Sequence, residues 1–160
     1  MQISFSTLRS NFNTSVGYGY AGFHIVNSLK DLGHQVPYQY PKAPVQLNFS
    51  QPEFYKLHRN QYQIGYTPWE STKLPDSWLL KLTLCDEVWT TSDWCANVFE
   101  DNGFKVNNVF PHGIEDVWQP KKRLESDTIK FLHIGEPAPR KGGQVVVDAF
   151  TYLFKDNDKY

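Results

Sequence analysis

Apolar positions along this chain switch between a two-residue period and a helical one, and the switches outline a series of short strands and helices. Gln2 to Ser6 has the alternation of an edge-to-core first strand. A polar loop, Thr7 to Val16, leads to Gly17-Tyr18-Gly19-Tyr20-Ala21-Gly22. That run opens a helix with Ala21, Ile25, Leu29 and Leu32 on one face, closed by Gly33. Gln35 to Gln39 reads as a second strand. Pro41 to Pro52 holds three prolines and no sustained period, so it reads as irregular, and Glu53 to Arg59 as a short helix. Tyr62 to Tyr66 returns to strand and runs into Thr67-Pro68-Trp69-Glu70-Ser71-Thr72. Pro75-Asp76 starts a helix through Leu84, apolar at Trp78, Leu79, Leu82 and Cys85. Glu87 to Thr91 is a strand, Ser92 an N-cap, and Asp93 to Asp101 a helix stopped by Asn102-Gly103. Val106 to Phe110 is a further strand, ending in Pro111-His112-Gly113-Ile114-Glu115.

Strands that alternate with helices pair in parallel, because a parallel neighbour requires a crossover. The expected class is therefore α/β, with residues 1–115 as one domain. Residues 116–128, polar and carrying a proline and a charge run, read as a linker. Beyond it Ile129 to Ile134 has the look of a strand and Gly135 to Pro139 of a loop. Val146, Ala149, Phe150 and Leu153 then recur on one helical face. One strand-helix unit cannot bury its own apolar faces. Residues 129–160 are thus expected to be the first such unit of a second, incomplete domain.

Composition narrows the function. A net charge of −1, with both signs interspersed, gives no electrostatic case for nucleic acid or an anionic membrane. The short run Lys121-Lys122-Arg123 reads as solvated linker. Aromatic residues crowd between Phe49 and Trp94, where core is a better use for them than a cleft. Cys85 and Cys95 fall in expected helices without CxxC spacing or a neighbouring histidine, so no metal site is expected and a reducing compartment is. No apolar run reaches a membrane span, and no leader pattern opens the chain; the expected location is cytoplasmic.

Two glycine-bearing helix starts carry candidate chemistry. In Arg140-Lys141-Gly142-Gly143, two cations and two glycines stand at a helix N-terminus, where free N–H groups and the helix dipole favour an anion such as phosphate. Solvated surface is the competing reading. Gly17 to Gly22 spells the dinucleotide fingerprint, but about ten residues separate it from the strand. That motif needs its first glycine at the strand end and an acidic residue on the second strand. Residues 37–40 are Pro37, Tyr38, Gln39 and Tyr40, so an NAD-type oxidoreductase is set aside. Trp69 and Glu70 follow a strand end, where ligands of open α/β sheets gather; Glu70 reads equally as a solvated carboxylate. His112, beside Gly113, is a ligand contact or a turn cap.

In order and spacing, these segments resemble the retaining glycosyltransferases of family 4, also called group 1, which have the GT-B architecture of two Rossmann-like domains. The resemblance rests on Gly17-Tyr18-Gly19, Gly33-His34-Gln35-Val36, Glu70-Ser71-Thr72-Lys73-Leu74-Pro75, Cys85 to Trp94, Pro111-His112-Gly113-Ile114-Glu115, and Phe131 to Gly135 with Arg140-Lys141-Gly142 and Asp148-Ala149-Phe150. It implies a Rossmann-like parallel sheet flanked by helices as an acceptor-side domain, then a truncated second Rossmann-like unit. It implies a sugar transferred from a nucleotide-sugar donor to an acceptor not specified by the motifs, with retention. Lys141 would contact the donor diphosphate, with Arg140 as a neighbouring cation and Gly142 at the helix start. Gly17 and Gly19 would face that diphosphate from the other domain; Trp69, Glu70, His112 and Gly113, from their place at strand ends, are the candidate cleft or acceptor residues. Glu136 departs from the family, which often has a basic residue there. The family's paired glutamates would lie beyond Tyr160, so the chain alone is expected to be nearly inactive, with the rest of the donor domain as its missing partner. No metal or cofactor is expected, since Lys141, Arg140 and the helix start can stabilise the leaving diphosphate. The alternative is a non-catalytic α/β module binding a carbohydrate or protein around Trp69.

Overall fold

The computed structural model describes residues 1–8, 17–122, 125 and 127–155. Most of the expected loop Thr7–Val16 and part of the basic run 121–123 lie outside them. The chain divides into two compact units, Met1–Ile114 and Glu115–Tyr160.

The first unit is an α/β fold built on a parallel sheet of five strands: β1 (Ile3–Thr7), β2 (Val45–Phe49), β3 (Tyr62–Tyr66), β4 (Glu87–Thr90) and β5 (Asn108–Val109), side by side in that order. Residues 35–39 run parallel along the outer side of β1. The N–H groups of Gln35, Ile3, Phe5 and Gln39 bond to the carbonyls of Met1, Gln35, Pro37 and Phe5 at 2.9–3.0 Å. Between those rungs one is missing, because Pro37 has no N–H to donate. The expected strand at Gln35–Gln39 is therefore reduced to two isolated bridges, Gln2 with Gln35 and Phe5 with Tyr38.

β2 corrects the expectation that 41–52 is irregular. The prolines only frame it: Pro44 precedes the strand, and Pro52 opens a single 3-10 turn, Pro52–Phe54, in place of a helix at 53–59. Within β2, Val45, Leu47 and Phe49 alternate with Gln46 and Asn48, and both sets are buried or nearly so. The register aligns Phe5, Leu47 and Ile64 in one row and Ser6, Asn48 and Gly65 in the next, so the two faces of the sheet differ in chemistry. On the apolar face Ile3, Phe5, Leu47, Phe49, Ile64 and Tyr66 meet Val26, Ala21, Ile25 and Leu29 of α1 (Gly17–Asp31). On the other face, buried Ser6 donates to Asn48 Oδ1 at 2.7 Å, Asn48 Nδ2 to Gln63 Oε1 at 3.4 Å, and Gln63 Nε2 to the His58 carbonyl at 2.7 Å. A buried amide is tolerated when partnered, and this ladder lets polar residues occupy a central strand.

That polar face is covered by α2 (Asp76–Thr83), α3 (Asp93–Asp101) and Tyr55, whose core includes Leu74, Trp78, Leu82, Val88, Val98 and Phe99. Right-handed crossovers account for the placement. From β1 the chain steps outward through α1 to 35–39, whereas α2 and α3 serve strands on the opposite side, so they belong on opposite faces. Local signals hold here. Ser92 Oγ accepts from the Cys95 N–H at 3.2 Å, and Gly33 and Gly103 stop α1 and α3 at φ +83° and +87°. Two boundaries differ: Cys85 lies past the end of α2, and β5 keeps two residues of the expected Val106–Phe110.

In the second unit the expected helix forms as α4 (Gly143–Phe154), after a 3-10 turn at Pro139–Lys141. The expected strand Ile129–Ile134 does not: no ladder pairs it among the described residues. Phe131 instead meets Phe150 and Phe154 at ring distances of 5.6 and 5.7 Å. Ile129, Leu132, Ile134, Val145, Val147 and Leu153 stay exposed.

Candidate functional site

The strand ends converge on one rim of the first unit. Sequence order reverses between β1 and β2, since 35–39 lies outside β1 while the later strands extend the other way. Ligands of open parallel sheets bind beyond the carboxyl ends of strands at such a reversal. After β3 come Thr67, Trp69 and Glu70, after β5 comes His112, and the first turn of α1 reaches the same rim. Tyr18, its second residue, bonds through its hydroxyl to Thr67 Oγ1 at 2.8 Å and packs on Phe49 at 5.2 Å.

The segment after β3 is bracketed at both ends by α3. Cys95 Sγ accepts from the Trp69 N–H at 3.0 Å and donates to the Trp69 carbonyl at 3.1 Å. Asn102 Oδ1 accepts from the Leu74 N–H at 3.2 Å, and its Nδ2 donates to the Thr72 carbonyl at 3.2 Å. Trp69 is used internally: its Nε1 donates to the Lys73 carbonyl at 3.0 Å, and its ring meets the edge of Trp78 at 4.5 Å. Trp78 in turn donates to a Glu53 carboxylate oxygen. Glu70 is left exposed on this fixed segment.

Electrostatics at the rim favour neutral groups. Burial pushes the Tyr18 phenol up to about 12; its bond to Thr67 opposes that, while Cys95, Glu70 and Glu53 add to it. Tyr66, which donates to the Phe110 carbonyl at 2.6 Å, is also raised to about 12 by burial. His112 keeps solvent exposure while its ring meets Phe49 at 5.8 Å and Tyr66 at 6.2 Å, and that partial desolvation lowers its pKa. Gly113 is exposed, with nothing near its Cα to crowd a side chain. Of the two glycines expected at an anion, Gly17 is exposed and Gly19 is buried.

The other expected residues lie in the second unit. Lys141 ends the 3-10 turn with its N–H on the Ala138 carbonyl at 2.9 Å. Gly142 follows at φ +68°, a left-handed conformation that a β-carbon resists, and redirects the chain into α4. Arg140 and Lys141 are both exposed.

The fold thus gathers Gly17, Trp69, Glu70 and His112 on one rim, and Arg140, Lys141 and Gly142 in one loop. The sequence reading missed Tyr18, Thr67 and Phe49, which tie α1 to the ends of β2 and β3. An aromatic residue between the two glycines of a helix start was the available signal. Among the described residues no helix is long and apolar enough to cross a membrane, and no three His, Cys, Asp or Glu side chains group as metal ligands. No protein-family model matches the chain, and neither curated proteins nor solved structures give a significant match.

Proposed function

We propose that the chain belongs to a GT-B-type retaining glycosyltransferase using a nucleotide-sugar donor. Its first unit would be the Rossmann-like acceptor-side domain, and its second would belong to the donor side. The observation that carries this reading is the loop ending in Lys141-Gly142-Gly143. An exposed lysine, a left-handed glycine and the start of a twelve-residue helix follow one another there. Such a start offers N–H groups and dipole to an anion, and Lys141 and Arg140 add charge. In glycosyl transfer the diphosphate gains negative charge as the sugar C1–O bond breaks, so donors aimed at it lower the barrier more than they tighten ground-state binding. The rim with Glu70 and His112 is the acceptor side of this proposal. The competing reading is a non-catalytic module that binds a carbohydrate or protein around Trp69, whose half-buried ring donates to the Lys73 carbonyl and meets the edge of Trp78.

A calorimetric series tests the reading. UDP, GDP and ADP should bind within a few-fold of one another, with Kd on the order of 1 mM, since the diphosphate supplies the contact. Uridine and guanosine should not bind, and Lys141→Ala should remove binding. Nucleosides that bind as well as their diphosphates, or a Lys141→Ala chain that binds unchanged, would refute it.

A further inference from the structure

Just before the loop at 135–143 stands a basic side chain, His133, that the proposed mechanism has not used. A β-carbon built on Gly135 would lie 3.6 Å from His133 Nε2 and 3.6 Å from Lys141 Cβ. At Gly143 the nearest contact is again His133 Nε2, at 3.8 Å. The imidazole Nε2 therefore borders the space above both glycines, and Lys141 Cβ borders the same space at Gly135. Both side chains are exposed. The nearest acidic residue along α4, Asp148, accepts from Gln144 Nε2 at 2.7 Å on its own helix. Glu136 sits next to Gly135 in sequence and reduces the positive charge of the loop. Nε2 donates a hydrogen bond as the imidazolium, and also as the neutral tautomer that carries its proton there.

We infer that His133 is a further phosphate-binding residue, its Nε2 donating to an oxygen of the same diphosphate that Lys141 engages. This rests on reading the loop as a diphosphate site, and it adds a hydrogen-bond donor close in sequence to the acidic Glu136. A β-carbon at 135 or 143 would make ordinary contact with the ring, so the imidazole lies within van der Waals reach of the backbone at both glycines.

The test titrates the isotope-labelled full chain with inorganic pyrophosphate and follows the His133 ring signals together with the Gly142 and Gly143 amides. The inference expects all of them to move along one saturation curve. His133→Ala should weaken binding roughly three- to tenfold, the size of one hydrogen bond to a charged group, and His133→Gln, which keeps an N–H donor, should recover part of the loss. Unchanged α4 amide signals in both variants establish that the fold is intact. If the wild type binds and Lys141→Ala weakens it, but His133→Ala does not and the His133 signals stay still, this inference falls and the diphosphate reading stands. If the wild type shows no saturable shift at all, both fall.

Discussion

Each unit has an apolar extended segment near an apolar-faced helix, and only the first turns that segment into a strand. Tyr62–Tyr66 is held between β2 and β4, with Ile64 and Tyr66 buried. Ile129–Ile134, with comparable apolar content, has no ladder among the described residues, and Ile134 is 83% exposed. The helices repeat the contrast: Val26 of α1 is 4% exposed, and Val146, on the apolar face of α4, is 43%. A strand is a relation between neighbours as much as a property of its residues. Propensity without a neighbour leaves apolar surface in water.

Alkali should separate the units most strongly. In the first unit burial raises Cys85 from 9.0 to about 12, Tyr18 and Tyr66 from 10.0 to about 12, and Tyr55 well above 10.0. The unfolded chain releases these protons first. The stability they contribute is therefore complete below pH 9 and lost as the pH climbs through 12. Near-ultraviolet circular dichroism of the first unit should collapse together with the last phenolate absorbance to appear, that of Tyr18, Tyr55 and Tyr66. Phenolate absorbance that is already complete at the ordinary phenol pH, with the dichroism intact, would contradict the burial argument.

Single substitutions continue the comparison. Phe49→Ala removes a fully buried ring shared by Tyr18, Tyr66 and His112. It should cost about 3–5 kcal/mol by urea unfolding. Gly65→Ala would set a β-carbon 2.6 Å from the Tyr55 ring and 3.0 Å from Cys85 Sγ, so about 1–3 kcal/mol is expected from overpacking. Ser92→Ala, which removes the cap on α3, should cost about 1 kcal/mol. Leu132→Ser in the second unit, at a side chain 81% exposed, should change the unfolding curve by less than about 0.5 kcal/mol. A loss there as large as that for Phe49 would end the contrast.

Much of the first unit was legible because its local signals agree with its packing. β1, β3, β4 and all three of its helices follow from period and caps, and Ser92 forms the bond its position suggests. β2 was hidden because Gln46 and Asn48 look like loop residues until Ser6 and Gln63 stand beside them, and prolines on both sides read as breakers. Pro37 worked in reverse, thinning an expected strand to two bridges. Glu70 and His112 on the rim of the first unit, and Lys141 and Gly142 in the loop of the second, were visible as residue types at element ends. The Tyr18–Thr67 bond and the position of His133 beside Gly135 and Gly143 depend on how the chain folds back, which no local pattern encodes.

The claim that the second unit holds a diphosphate is tested most directly by titrating the isotope-labelled chain with GDP and mapping every backbone amide. The account predicts that the amides of Lys141, Gly142 and Gly143 move first and furthest, with the core amides of Leu47, Ile64 and Val88 unmoved. A saturable response that leaves residues 141–143 still, or no response at all, would contradict it.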